Sequence, residues 1–149
     1  MREILIIKRV NILMKHELKN AYIYLNVLMK IDENQIIHGN VNVLVQVVNN
    51  MISNAIQAYD GKHDQNIQLE ISKDSGNVIF SVTDFAGGLP KEVQDRLFKE
   101  MVTTKGKNGT GLGLYMSYSN IKAHFGGDIT YKTEDGKGTT FNILIPINK

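Results

Sequence analysis

Hydrophobic positions recur at two different spacings along this chain, and the spacing changes mark the elements. From about residue 3 to residue 19 the period is helical: Ile6, Val10 and Leu13, continued by Glu17, form one stripe, and Ile7, Val10, Met14 and Leu18 form its neighbour. Tyr22 to Lys30 is rich in aromatic and branched residues and predicts a strand, followed by turn residues from Asp32 to Asn34. Asn40 is suited to cap a second helix, in which Val41, Leu44, Val45, Val48, Ile52, Ala55 and Ile56 recur until Asp60-Gly61. After a polar loop from Asp60 to Gln65, the spacing drops to two. Ile67, Leu69 and Ile71 alternate, Asp74-Ser75-Gly76 turns the chain, and Val78, Phe80 and Val82 alternate on the return, a β-hairpin signal.

The stretch from Phe85 to Gly113 holds six glycines and a short helical piece around Glu92 to Phe98. Leu114, Tyr115, Tyr118, Ile121 and Phe125 mark a third helix, stopped by Gly126-Gly127. A last hairpin pairs Ile129, Tyr131 and Thr133 with Phe141, Ile143 and Ile145 across Asp135-Gly136. Neighbouring strands mostly join by hairpins, and the helices can cover one face. This order predicts an α+β two-layer sandwich rather than a doubly wound parallel sheet.

The 149 residues suit a single domain over residues 1–149, and no repeat, low-complexity segment or linker divides them. Composition is ordinary, with 42% hydrophobic and 21% charged residues. The formal net charge of +2 offers no bulk attraction to nucleic acid. The absence of cysteine excludes disulfides and thiolate metal sites. Met1 to Met14 is interrupted by Arg2, Glu3, Lys8, Arg9 and Asn11, so it is neither a signal-peptide core nor a spanning helix, and no later run reaches spanning length. A cytoplasmic location is expected, as a free domain or as the cytoplasmic part of a membrane receptor.

Four clusters carry chemistry. Asn50 and Asn54 share one face of the second helix, with Gln46 a turn before and Gln57 and Ala58 a turn after; carboxamide oxygens suit a hard cation such as Mg²⁺. Asp84, in Thr83-Asp84-Phe85-Ala86-Gly87-Gly88-Leu89-Pro90, continues the inward alternation of Val78, Phe80 and Val82. An inward carboxylate needs a partner, and the exocyclic amine of a purine is a suitable donor. The small residues that follow let backbone approach a flat ring, although the same pattern also makes plain turns. Lys105-Gly106-Lys107-Asn108-Gly109-Thr110-Gly111-Leu112-Gly113-Leu114 leads into the third helix. Free amides, a helix N-terminus and two lysines suit a polyphosphate. No strand immediately precedes it and no Gly-Lys-Ser/Thr ends it, so it is neither a Walker A nor a Rossmann loop. Thr139, in Gly136-Lys137-Gly138-Thr139-Thr140-Phe141, shares strand parity with Phe141, Ile143 and Ile145, which points its hydroxyl inward. The four could converge on one nucleotide.

Taken in order, they resemble the N box and the three glycine boxes of the GHKL superfamily, the ATPases of the gyrase, chaperone, histidine kinase and mismatch-repair type. Gln46-Val47-Val48-Asn49-Asn50-Met51-Ile52-Ser53-Asn54-Ala55 is similar to the N box of sensor histidine kinases, with a nitrogen-sensor-like flavour, and Leu97 to Lys105 resembles their F box and ATP lid. The likeness spans roughly residues 5 to 147. It implies a Bergerat-type sandwich with a mixed, mostly antiparallel sheet covered on one face by three helices. It further implies that Asn54 ligates Mg²⁺, that Asn50, near the γ-phosphate, and Lys105, paired with a phosphate, are the catalytic residues, and that Asp84 reads the adenine amine. Gly88 would allow close approach to the base, beside Ala58, Ala86 and Leu89. Thr104, Gly109, Thr110, Gly111, Leu112, Gly113 and Leu114 would border the phosphates. Thr139 would hold a water or hydroxyl near Asp84, and Phe98 and Met101 would anchor the lid.

The implied function is to bind MgATP and donate the γ-phosphoryl group to a histidine on a separate dimerisation domain, and through it to a response regulator in two-component signalling. No nucleic-acid or direct membrane contact is expected, and the isolated domain is expected to be a monomer. Some positions depart from the pattern. Glu100-Met101-Val102 stands where Pro-Phe-Phe is usual, Ala86 and Phe85 replace common Gly and Asn, and Gln57 replaces a basic residue. His16-Glu17-Leu18-Lys19-Asn20 looks like a phosphoacceptor box, but only 38 positions separate His16 from Asn54, too few for a helical hairpin plus the start of an ATP domain. His38, His63 and His124 lack ligand spacing. Two alternatives remain at this stage: an anti-sigma-factor-type serine kinase, which typically carries Glu where this chain has Asn50, and a nucleotide-binding regulatory module with little transfer activity.

Overall fold

The computed structural model describes residues 3–31, 35–74, 76–95 and 110–147; side chains at 3, 4 and 110–113 lie outside the description. The elements are α1 (Glu3–Ala21), β1 (Ile23–Met29), α2 (Val41–Ala58), β2 (Gln65–Lys73), β3 (Asn77–Asp84), α3 (Thr110–Phe125), β4 (Asp128–Glu134) and β5 (Gly138–Pro146). A further helical turn covers residues 91–95. The turn expected at Asp32 to Asn34 and the F box and lid from Leu97 to Lys105 fall outside the described residues.

Local chemistry sets the boundaries. Asn40 has extended backbone angles and its side chain accepts the Val43 N–H at 3.4 Å, so it caps α2 as its position predicted. Gly39 before it has a φ of 130°, and a Cβ there would meet the Phe125 ring at 2.5 Å, so only glycine lets the chain pass under α3. In the β2–β3 hairpin Asp74 Oδ1 accepts the N–H groups of Gly76 at 2.9 Å and Asn77 at 2.7 Å, an Asx turn that also lowers its pKa.

The sheet order is β1-β2-β3-β5-β4. β1 and β2 run parallel, with Ile23 opposite Gln65, because α2 forms the crossover between them; all other pairs are antiparallel. β5 lies between β3 and β4, which puts Asp84 opposite Thr139. The three helices lie on one face with α2 in the middle, packed on both α1 and α3. The core fills the space between the layers, where Leu44, Val48, Met51 and Ile52 of α2 meet Ile67, Leu69, Phe80 and Ile143 of the sheet. This is the α+β two-layer arrangement expected.

Two expectations need correction. Of the two stripes on α1, Ile7, Val10, Met14 and Leu18 are buried together with Ile6, but Leu13 is 58% exposed. Glu17 turns outward and accepts the Ser53 hydroxyl at 3.1 Å. A helix on the outer flank of a sandwich needs only one narrow buried stripe. The third helix also begins at Thr110 rather than Leu114, so Gly111 and Gly113 lie in its first turn. Glycine carries no side chain to cover the first-turn amides, which have no intrahelical partner.

Asn49, half-buried on α2, has a buried side-chain carbonyl with no hydrogen-bond partner among the described residues. An unsatisfied buried amide costs about 1–3 kcal/mol. Asn49→Leu is therefore expected to raise the thermal unfolding midpoint, by an amount equivalent to about 1 kcal/mol. A lower midpoint in calorimetry would show that the amide has a partner that the fold needs.

Candidate functional site

Asp84 is the last residue of β3, and the alternation of that strand turns its carboxylate to the helix side, where it is 6% exposed. Its Oδ1 accepts the Ala86 N–H at 3.1 Å, and the backbone N–H of Thr139 donates to the carboxylate as well. Burial outweighs both hydrogen bonds and pushes the Asp84 pKa above its ordinary value of 3.8.

The carboxylate opens onto a cleft of about 320 Å³, large enough for a small ligand. Ala58, Leu89, Val93, Leu114 and Phe141 give it apolar walls, Asn54 and Gln57 stand on its α2 side, and Thr139 lies beside Asp84. Thr139 is 3% exposed, and its hydroxyl pairs with that of Thr133 at 2.9 Å, which in turn accepts the Leu89 N–H at 2.8 Å. This short chain of hydroxyls ties the loop after Asp84 to β4 and β5. The helical turn at 91–95 is anchored beside the cleft: Gln94 donates its side-chain amide to the Leu89 carbonyl at 3.0 Å.

Most of the remaining expected residues fall at the same end of the sandwich. The N-terminus of α3 carries Thr110, Gly111, Leu112 and Gly113, whose first-turn amides are free to hold an anion, and Leu114 is buried against the cleft. Asn50 does not line the cleft. Its amide donates to Ser117 Oγ of α3 at 3.3 Å, so it pins α2 to α3 one turn before Asn54. Gly88 has a φ of 90°, and a Cβ there would lie 2.6 Å from the Glu134 carbonyl oxygen; close approach to β4 accounts for this glycine in the free protein. Thr104, Lys105 and Gly109 lie outside the described residues, as do Phe98 and Met101.

Three contributors escaped the sequence reading. Thr133 was legible, because it shares parity with Tyr131 and Ile129. Ser117 was not, because a serine on a helix gives no sign of a partner 67 positions away. Tyr59 closes α2 and is buried, and its hydroxyl accepts the Phe85 N–H at 2.7 Å. Helical spacing from Ile52 and Ala55 marks it as core, but nothing local reveals the hydroxyl's role.

An apolar slot with one buried carboxylate at its base, beside a helix N-terminus, suits a flat heterocycle carrying an amine and a phosphate chain. The fold and site thus define a nucleotide-binding α/β sandwich. Comparison with known proteins makes the class specific: the chain belongs to the histidine kinase-, DNA gyrase B- and HSP90-like ATPase family, whose model matches residues 39–149. Sensor histidine kinase ZraS of Escherichia coli is 39% identical over 105 residues, 70% of this chain and 22% of that protein. Sporulation kinase E of Bacillus subtilis is 38% identical over 121 residues, 80% of this chain and 16% of that protein. The chain thus spans about a fifth of the length of these curated relatives. The fold matches the solved catalytic domain of histidine kinase ThkA with a TM-score of 0.81 at 21% identity, covering 99% of this chain and 94% of that one. Among the described residues no helix is long and apolar enough to cross a membrane.

Proposed function

We propose that this domain binds MgATP and donates the γ-phosphoryl group to a histidine on a separate dimerisation domain. The observation that carries the reading is the buried Asp84 at the base of an apolar cleft that Asn54 and the start of α3 border. Asp84 accepts the adenine amine, and Leu89, Val93 and Phe141 sandwich the ring. The α3 amides and Lys105 hold the phosphates. Asn54 brings a neutral oxygen to the edge of the cleft, a donor that fits Mg²⁺. Held there, Mg²⁺ would supply charge neutralisation to the phosphates.

In the transfer a neutral imidazole nitrogen attacks the γ-phosphorus, a nitrogen–phosphorus bond forms, and ADP leaves. The protein's task is positioning and charge neutralisation. Asn50 also bears on the acceptor. Transfer to a serine hydroxyl or to water calls for a general base, and an asparagine cannot accept a proton, whereas a neutral imidazole needs none. Relatives named as histidine kinases support the same reading. Histidine kinase ThkA has been solved in complex with the response regulator TrrA, and a response regulator is the eventual phosphoryl recipient proposed for this chain's parent kinase.

Calorimetric titration with ATP, with and without Mg²⁺, tests the binding step. Expected is saturable binding that strengthens with Mg²⁺, and an Asn54→Ala variant that loses the Mg²⁺ effect. Transfer is then followed with labelled ATP and a dimerisation domain from a related kinase. Acid-labile label, diagnostic of phosphohistidine, is expected; acid-stable label would point to a hydroxyl acceptor, and a folded chain that binds no nucleotide would end the reading.

A further inference from the structure

The β2–β3 ladder pairs Ile67 with Asp84, so one step further Asn66 stands opposite Phe85. At that step the Tyr59 hydroxyl stands between the two backbones. It accepts the Phe85 N–H at 2.7 Å and donates to the Asn66 carbonyl at 2.5 Å. A direct ladder bond would hold nitrogen and oxygen at about 2.9 Å. One hydroxyl inserted between the strands spreads them where β3 ends, while satisfying both backbone groups. On the other side the Asp84 carbonyl faces Gly138, where a Cβ would come within 2.0 Å of its oxygen. The Asp84–Phe85 peptide is thus held at its N–H by Tyr59 and at its C=O by the bare backbone of β5. The Asp84 side chain hangs from the same backbone unit, so its aim into the cleft follows from how that peptide is held.

We propose that Tyr59 is a positioning residue for base selection: its hydroxyl, wedged between β2 and the end of β3, sets the peptide that aims Asp84 at the purine amine. The inference rests on the nucleotide reading above. Tyr59 itself is buried and is not among the residues that line the cleft, so it acts only through Asp84. Phenylalanine at 59 keeps the ring and its packing but leaves the Phe85 N–H and the Asn66 carbonyl without their partner. The strands are then free to close or to admit water, and Asp84 turns with them.

The test compares ADP with inosine diphosphate, which carries a carbonyl in place of the adenine amine, on wild type and Tyr59→Phe. Expected is wild-type preference for ADP, and a variant whose ADP affinity falls about tenfold while its inosine diphosphate affinity holds, so that the preference shrinks by the same factor. A purely structural role would weaken both nucleotides together, and an unchanged ADP-to-inosine diphosphate ratio overturns the proposal. Amide exchange on wild type provides a second reading that needs no variant. The Phe85 N–H is expected to be protected in the free protein; exchange at the open-chain rate would show that no wedge exists, even if Tyr59→Phe failed to fold. A wild-type chain that binds neither nucleotide sinks the nucleotide reading itself, and the inference with it.

Discussion

Replacing Asp84 by asparagine is expected to remove adenine-nucleotide binding while leaving the free domain nearly as stable as wild type. Among the described residues the carboxylate is the only ionisable group lining the cleft, and a charge-assisted hydrogen bond contributes about 1.5–3 kcal/mol. Asparagine also presents an amide donor where the purine amine needs an acceptor, so a loss of ADP affinity of about 100-fold follows. Stability responds differently. Burial makes the ionised form of Asp84 the disfavoured one in the folded state, which is why its pKa rises above 3.8. The sign for pH follows. Between 3.8 and the raised folded value, the folded chain binds more protons than the unfolded one, so the Asp84 contribution favours folding at acid pH and is lost as pH rises through that window. Removing the charge offsets the acceptor lost to the Ala86 or Thr139 N–H. Nucleotide affinity runs the other way, because the ionised carboxylate is the better acceptor; it should fall as pH drops below the raised pKa. Paired calorimetry of binding and of unfolding across pH 4–7 checks both. A variant that still binds ADP tightly, or that loses binding only because it unfolds, would contradict this account of the cleft.

How much of this was legible in the sequence depends on how far each interaction reaches. The alternation of Val78, Phe80 and Val82 fixed the inward aim of Asp84, and that of Phe141, Ile143 and Ile145 fixed Thr139, because strand parity is a local property. Asn40 was recognisable as a cap because its partner is Val43, three positions on. The family itself was legible from the order of the four clusters, and the family match over residues 39–149 bears that membership out. Periodicity could not supply the side-by-side order of β3, β5 and β4, since hairpin logic joins strands only to their sequence neighbours. Nor did it choose between the two stripes of α1, because both are mostly apolar, although Glu17 at the end of one marks it as the less buried. Tyr59 illustrates the same limit: the residue was legible as core, while its hydroxyl bridges two backbones, at Asn66 and Phe85, that only the folded register brings together.

Gly138→Ala is expected to be the more damaging of two glycine substitutions at the β4–β5 hairpin, although Gly136 is the one with a left-handed backbone. Gly136 has a φ of 78°, a conformation that costs a side-chain-bearing residue roughly 1–2 kcal/mol, but a Cβ there would meet nothing within 4 Å. Gly138 lies in β5 and has no left-handed requirement, yet a Cβ there would come within 2.0 Å of the Asp84 carbonyl oxygen and 3.0 Å of the Phe85 Cα. Both atoms belong to backbone, which no side-chain rotation can move aside. Relief requires β5 to part from the end of β3, which breaks the Asp84–Thr139 pairing and misaims the carboxylate. Overpacking of this kind costs about 1–3 kcal/mol. At about 2–4 °C per kcal/mol for a domain of this size, Gly138→Ala should unfold about 2–12 °C below wild type and lose ADP binding even at temperatures where it is fully folded. Gly136→Ala should unfold only a few degrees lower and keep its affinity, because the strain stays in the turn. If the two variants bind ADP equally well, contact between β5 and the Asp84 peptide does not control the site; if only Gly138→Ala loses binding while folded, the bare backbone at 138 is part of what aims Asp84.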